Sequence, residues 1–334
     1  MIYTTYFLNF VTPIHIGDHK PDSYENTESF LRSDTINAAI IASWAKLGHI
    51  DWIETCKGAL PFTISSAFPY YGVAGSENIF FPRLKIPFDL VEKDARLSKQ
   101  IKKITWMDKN YFETVINSKK IEKDFEAHIK KEFLTSDKNF PKDGFMTKQI
   151  SERVAIPRER TEDNQSEPFY MERIYFENGG LYFLAIGDEF EKLEAALNVL
   201  KYEGFGTDRN IGNGFFEWHR SNISIDLPKD VKYSTNLGMY CPESKEKVET
   251  EIDDYSGYNL VKRGGWITSS SHQSIEKDSI YMFGEGSIFK KSEAIDGQKN
   301  IDLSPKNLPT SMKPGHPIYR SGCSIFIPVK ITSP

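Results

Sequence analysis

Within "RSDTINAAIIASWAKLG" (Arg32–Gly48), Ile36, Ile40, Trp44 and Leu47 recur at helical spacing and fall on one face. Ser33 or Asp34 can cap such a helix, and Gly48 supplies its stop. A second amphipathic stretch, "DEFEKLEAALNVLKY", sets Phe190, Leu193, Leu197 and Leu200 on one face behind Asp188 as cap. The first ten residues or so, rich in Tyr, Thr and Phe, read as a strand. "ALPFTISSAFPYYG" and "NIFFPRLKIPF" read as short extended segments that their prolines push toward sheet edges. "RVAIPRER", "FYMERIYFENGGLYFLAI" and "FFEW" complete the strands, and "ENGG" is a hairpin signal.

From about Asp89 to Lys148 the pattern changes. "DARLSKQIKKITW" and "KKIEKDFEAHIKKEFL" predict amphipathic helices of an insertion rather than of a core. Beyond about residue 226 the chain is less regular, with candidate strands at "YNLVKRGGWITSS", "SIYMF" and "CSIFIPVKI". Strand–helix–strands–helix–strand is the βαββαβ order of a ferredoxin-like domain, an α+β fold. The expectation is one such domain over residues 1–225, with a long helical insertion at about 83–165. A C-terminal domain follows over 226–334, expected as a degenerate second ferredoxin-like domain in tandem, although periodicity alone does not show it.

The chain has 334 residues, of which 39% are hydrophobic and 27% charged, enough for a large buried core. No apolar run approaches membrane-spanning length, and the N-terminus lacks the basic region of a signal peptide. Cys56, Cys241 and Cys323 are far apart, with no CxxC spacing. Neither disulfide framework nor metal site is indicated, no cofactor is expected, and the reading is cytoplasmic. A net charge of −5 argues against a general, charge-driven nucleic-acid binder. Its distribution changes the picture: Arg83–Arg160 carries 19 Lys and Arg against 13 Asp and Glu, leaving the remainder acidic. The basic middle is either an RNA-facing element or a solvated helical insertion.

"GFGTDRNIGNGFF" (Gly204–Phe216) carries the sharpest chemical signal. A dinucleotide loop leaves a strand and enters a helix, whereas this one leaves a helix and enters a strand. A P-loop ends in Gly-Lys-Ser/Thr, and this one ends Gly212-Asn213-Gly214. What remains is a run of unobstructed backbone N–H groups, with Arg209 as a forked donor and Thr207 and Asn210 as small polar contacts. Such a nest can follow a polyanion. It can equally be a turn that closes the helix onto its strand with no ligand.

The spacing Gly204-x-Gly206-x5-Gly212-x-Gly214 resembles the loop of the CRISPR RAMP superfamily, which there follows the second helix and binds RNA. "LRSDTINAAI", "RVAIPRERTEDNQSEPFYMERIYFENGGLYF", "LVKRGGW", "GEGSIF" and "GHPIYRSG" are similar, in the same order, to further stretches of that superfamily. Together they resemble the RAMP subunits at the 5′ end of the guide RNA in type III-A (Csm) effector complexes. Where the family commonly has Gly-Glu-Arg-Ser, the loop has Thr207-Asp208-Arg209-Asn210, so Asp208 has to point away from phosphate.

The resemblance implies a non-catalytic scaffold, not an enzyme, that grips the repeat-derived 5′ handle of the crRNA. It implies docking on the large polymerase-like CRISPR subunit and on the backbone RAMP subunit, with the basic middle as a thumb against the guide–target duplex. Single-stranded RNA is held by backbone amides, arginines and stacking aromatics. The RNA-binding residues so implied are Gly204, Gly206, Thr207, Arg209, Asn210, Gly212 and Gly214 in the loop. Arg32, Ser33 and Asn37 open the first helix, where an N-cap is the competing role. Arg153, Arg158 and Arg160 form a phosphate track or else a charged strand edge. Arg263 pairs a phosphate beside Trp266, itself more often a core residue, while His316, Tyr319 and Arg320 touch RNA or seat the final strand.

His15 tests the enzymatic alternative. Related RAMP endoribonucleases cut repeat RNA by general acid–base chemistry, often with a histidine near the first helix. "PIHIGD" sets His15 between apolar neighbours, where a packed or RNA-contacting histidine is commoner, and Asp18 and Asp22 offer no partner at defined spacing. "SSSH" (Ser269–His272) lacks an elbow or an acid and reads as a loop. The alternatives are therefore a repeat-cleaving endoribonuclease, or the equivalent subunit of a type III-B (Cmr) complex.

Overall fold

The computed structural model describes residues 1–17, 24–85, 101–119, 125–155, 166–267, 275–309 and 314–331. In chain order the first part holds β1 (Ile2–Phe10), α1 (Ser33–Lys46), α2 (Ile50–Cys56), β2 (Phe62–Ile64), β3 (Phe68–Tyr71), β4 (Asn78–Pro82), β5 (Trp106–Asp108) and α3 (Lys109–Ile116). There follow β6 (Ile129–Lys130), β7 (Phe133–Leu134), β8 (Met146–Ala155), β9 (Glu167–Phe176), β10 (Gly179–Gly187), α4 (Phe190–Glu203) and β11 (Phe216–Ser224).

The central sheet runs β11-β1-β10-β3-β4-β5-β7-β6, with β2 also pairing β10. β11, β1, β10 and the β2–β3 segment pair antiparallel with the two helices between them in sequence. That is the ferredoxin-like arrangement the βαββαβ order predicts. Period-2 alternation decides which side each residue takes. Tyr6, Leu8, Leu181 and Phe183 pack under the helices with Ile36, Ile40, Trp44, Leu193, Leu197 and Leu200. Tyr3, Phe7, Tyr182 and Leu184 face the other way, into a second cluster. Each fully buried Leu or Phe contributes roughly 1.5–3 kcal/mol, so both faces of the sheet hold it.

That second cluster corrects the reading of the insertion. Phe80, Phe81, Trp106, Phe112, Phe125, Phe133, Leu134 and Phe145 form it, continuous with the domain core. "KKIEKDFEAHIKKEFL" is not one helix: its described part is a 3-10 turn at Phe125–His128 and the β6–β7 pair. Its aromatic residues extend the sheet. "KNYFETVI" forms α3 instead, capped by the Asp108 carboxylate, which accepts from the Tyr111 N–H at 2.8 Å.

Other elements differ from expectation for local reasons. β3 and β4 are interior strands: Pro69 stands opposite Leu181 of β10 and Pro82 opposite Trp106 of β5, both outside the two paired positions of the β3–β4 ladder. The "ENGG" segment turns at Asn178 (φ +49°), yet β9 pairs back onto β8 while β10 joins the sheet, so a two-stranded arm leaves the body. Neither Ser33, Asp34 nor Asp188 caps a helix; Arg32 and Glu189 occupy those positions without a side-chain cap. Gly48 does take the left-handed stop after α1, at φ +82°.

The C-terminal part holds β12 (Tyr233–Asn236), α5 (Lys245–Glu251), β13 (Leu260–Arg263), β14 (Ile280–Phe283), β15 (Ile288–Phe289), β16 (Ile295–Asp296), β17 (Ile301–Asp302), β18 (Tyr319–Arg320) and β19 (Ser324–Val329). Four of these form a sheet in the order β15-β12-β19-β16, with β13–β14 and β17–β18 as separate pairs. Ile288, Ile325, Ile327 and Val329 join the same apolar cluster as Phe7 and Tyr182, so the two parts share one core. Beneath α5, Lys291 is buried against Glu251 at 2.9 Å and against Asp296. No helix among the described residues is long and apolar enough to cross a membrane.

Candidate nucleic-acid interface

The glycine loop begins where α4 runs out. Gly204 donates its N–H to Leu200 O at 2.7 Å, and the Phe205 ring goes down to stack on Phe216 at 5.3 Å. Phe205 N–H donates to Gly214 O at 3.0 Å, Gly214 N–H to Pro13 O at 2.8 Å and Thr207 N–H to His15 O at 3.0 Å. The loop is thus stitched to the end of β1. A Cβ on Gly206 would stand 2.2 Å from His15 O, a distance no side chain tolerates. Gly212 differs: its φ is +91° but nothing lies within 4 Å, so it faces open space.

This geometry narrows the anticipated nest. The N–H groups of Gly204, Phe205, Thr207, Ile211, Gly212, Asn213 and Gly214 are committed within the chain. The outward surface is instead the Arg209–Ile211 turn, with Asn210 and Ile211 exposed. The Arg209 side chain makes no hydrogen bond or ion pair among the described residues, while its carbonyl accepts from the Gly212 N–H at 3.1 Å.

Asp208 joins the loop to the β8–β9 arm. Its carboxylate accepts from Arg153 Nη1 at 3.1 Å and lies 3.8 Å from Arg173 Nη2. It faces the arginines of the arm and is about a third exposed. Arg173 was missed by sequence reasoning: the β8–β9 register sets it opposite Gln149, four residues along the ladder from Arg153, and only their shared contact with Asp208 brings the two together. Among the described residues the Arg173 Nε–H and the Asn213 side-chain amide nitrogen are buried with no acceptor.

His15 lies under this junction, 1% exposed. Its Nδ1 donates to Glu172 O at 2.7 Å, and its ring is 6.0 Å from Tyr24. Burial lowers its pKa, outweighing the Glu172 hydrogen bond and the nearby Asp208, so the ring is held neutral. A buried neutral ring tied to a backbone carbonyl positions the strand end against the arm.

Residues from the first helix and the C-terminus come together elsewhere. Asp34 is fully buried, and its two oxygens accept from Arg263 Nε at 2.9 Å, Arg263 Nη2 at 3.2 Å and Arg320 Nη1 at 2.7 Å. Burial works to raise its pKa, but the two guanidiniums outweigh it and hold the carboxyl well below the usual range. Arg32 pairs with Glu285 and Glu28, both at 2.8 Å, and Ser33 Oγ accepts from Met239 N–H at 2.9 Å. Asn37 is buried beside them. Arg32, Ser33, Asn37, Arg263 and Arg320 therefore form the seam between the two halves, not one surface with the glycine loop. Tyr319 packs over Gly58, and the His316 side chain is exposed with its Nδ1 3.1 Å from Pro317 O. Trp266, expected in the core, is 42% exposed. Arg158, Arg160, Asp18, Asp22 and Ser269–His272 lie outside the described residues. Among the described residues no group of three or more His, Cys, Asp or Glu is arranged to hold a metal ion.

Comparison with known proteins agrees with this architecture. The RAMP superfamily matches residues 7–217, and the CRISPR Csm4 C-terminal domain matches residues 229–329. The protein "CRISPR system Cms protein Csm4" of Methanocaldococcus jannaschii is 28% identical over 94% of each chain. Its namesake from Streptococcus thermophilus is 25% identical over 92% of this chain and 95% of the relative. A chain of a crystal structure of a Csm3–Csm4 subcomplex in the type III-A CRISPR-Cas interference complex superposes with a TM-score of 0.63. It is 20% identical and covers 98% of this chain and 100% of its own. A chain of a Csm1–Csm4 cassette structure in complex with cA4 gives 0.61 at 18% identity, both chains fully covered. With the family matches spanning both halves and the ferredoxin-like sheet in place, the chain belongs to the RAMP superfamily, in its Csm4 branch.

Proposed function

We propose that this chain is a non-catalytic, RNA-binding subunit of a type III-A CRISPR effector complex, holding the 5′ handle of the crRNA across the glycine loop and the base of the β8–β9 arm. The observation that carries this reading is the convergence of Arg153 and Arg173 on Asp208, the neighbour of Arg209 in the glycine loop, two guanidiniums against one carboxylate among the described residues. Two buried donors, Arg173 Nε and the Asn213 side-chain amide, lack an acceptor among the described residues. An excess of forked cations on partly exposed backbone suits a phosphodiester strand, which needs no base-specific pocket to be held. His15, buried and neutral, is offered as a positioning residue and not as a base.

The arm, leaving the body as two paired ten-residue strands, is the element we assign to the guide–target duplex. Residues 1–225 and 226–334 are retained as two RAMP units with a common core. Related structures pair Csm4 with Csm1 and with Csm3, and we propose the corresponding large and backbone subunits as partners here. The test is reconstitution with guide RNA. Arg209→Ala is expected to weaken RNA binding about tenfold, the cost of one charge-assisted contact. Undiminished binding would remove the loop from the interface.

A further inference from the structure

The "RGGW" turn after β13 carries a cluster that the glycine-loop reading does not use. Arg263 opens it, Arg320 Nη2 donates to Gly264 O at 3.1 Å and Lys277 N–H donates to Gly265 O at 3.0 Å. Asp34 is the carboxylate shared by these cations, and both its oxygens are already taken by the arginines. Lys277 has no ion pair among the described residues. A Cβ built on Gly265 would meet only Lys277 Cε, at 4.0 Å, so the space over the turn is open apart from that side chain. Gly264 and Gly265 are partly exposed and Trp266 beside them is exposed.

We propose that this turn is a second anion site, in which Lys277 and the remaining N–H groups of Arg263 and Arg320 take one phosphate group. An arginine presents five donors in a fixed fork; after the contacts with Asp34, Thr35 and Gly264, Arg263 Nη1 and Arg320 Nε have no partner among the described residues. Burial, together with Arg320 and Arg263 and against the opposing pull of Asp34, brings the Lys277 ammonium down to about 7. A bound anion reverses that imbalance and recharges the lysine. The phosphate can belong to an RNA strand or be free. The RNA case rests on the function proposed above, and the free-anion case does not.

The test is calorimetric titration of the full chain at pH 7.5, in two buffers of different ionisation enthalpy. One arm uses inorganic sulfate, a phosphate-shaped dianion that carries no proton at this pH, and the other a short single-stranded RNA. At this pH Lys277 is mostly neutral when free, so binding is expected to take up most of one proton. Lys277→Gln is expected to abolish the uptake and weaken binding about tenfold. Lys277→Arg is expected to keep the affinity without the uptake, because arginine is already charged. Lys262→Gln, exposed on the same strand pair, is expected to change neither. Unchanged affinity and proton uptake in Lys277→Gln would overturn the site. A response to sulfate but not to RNA would assign it to a free phosphate. RNA binding lost in the unaltered chain, with sulfate binding intact, would count against the proposed function and not against this site.

Discussion

The Asp208 carboxylate receives the Arg153 guanidinium at 3.1 Å, and through that contact the glycine loop is fastened to the β8–β9 arm. Both side chains are about a third exposed, so the pair contributes little stability, at most about 1 kcal/mol. Its effect is on charge: Asp208 offsets cations that would otherwise face RNA unopposed. Asp208→Asn is expected to leave the melting temperature within a few degrees of the parent while raising RNA affinity and its salt dependence. Filter binding at several salt concentrations reads both. A weaker complex would mean that Asp208 positions the arginines and does not restrain them.

The loop glycines separate into two kinds. Gly206→Ala forces a Cβ onto His15 O and is expected to cost about 2–3 kcal/mol. Gly212→Ala meets only the left-handed backbone penalty, about 1 kcal/mol. Thermal unfolding of the two variants checks the order, and equal losses would deny the stitching of the loop to β1.

Acid is expected to open the seam. Asp34 has a folded-state pKa held far below its unfolded value by Arg263 and Arg320. Its stabilisation is fully present above the unfolded value of about 4 and is lost as pH falls toward the folded one. Asp34→Asn leaves two buried guanidiniums uncompensated and is expected to cost roughly 3–5 kcal/mol at neutral pH. Denaturant unfolding of both proteins at pH 7 and pH 3 measures it, and the gap between them should narrow in acid. A constant gap would show that the pair does not govern the seam.

How much of this was legible in the chain differs by element. Ile36, Ile40 and Trp44, and Leu193, Leu197 and Leu200, gave both main helices because a periodic apolar face has one way to be buried. The Gly204–Gly214 spacing located the loop. It could not show that seven of its N–H groups are committed within the chain, since their acceptors, His15 and Pro13 among them, include residues far off in sequence. The insertion misled because Phe125, Phe133 and Phe145 sit among lysines and glutamates whose period looks helical. Only the sheet edge offered by β4 and β5 makes the extended form the better burial. Arg263 and Arg320 read as RNA contacts by motif, while their partner Asp34 lies more than two hundred residues away and no local pattern announces it.

The central claim, an RNA-holding subunit of a guide complex, is tested most directly by purifying the tagged chain from its native cells. The bound proteins and the 5′ ends of the bound RNA are then read together. The account predicts short guides sharing one constant 5′ handle, recovered with a stoichiometric large subunit and a backbone subunit, and lost with Arg209→Ala. Free chain carrying uncut or freshly cut repeat RNA would contradict it and return His15 to the position of a catalytic residue.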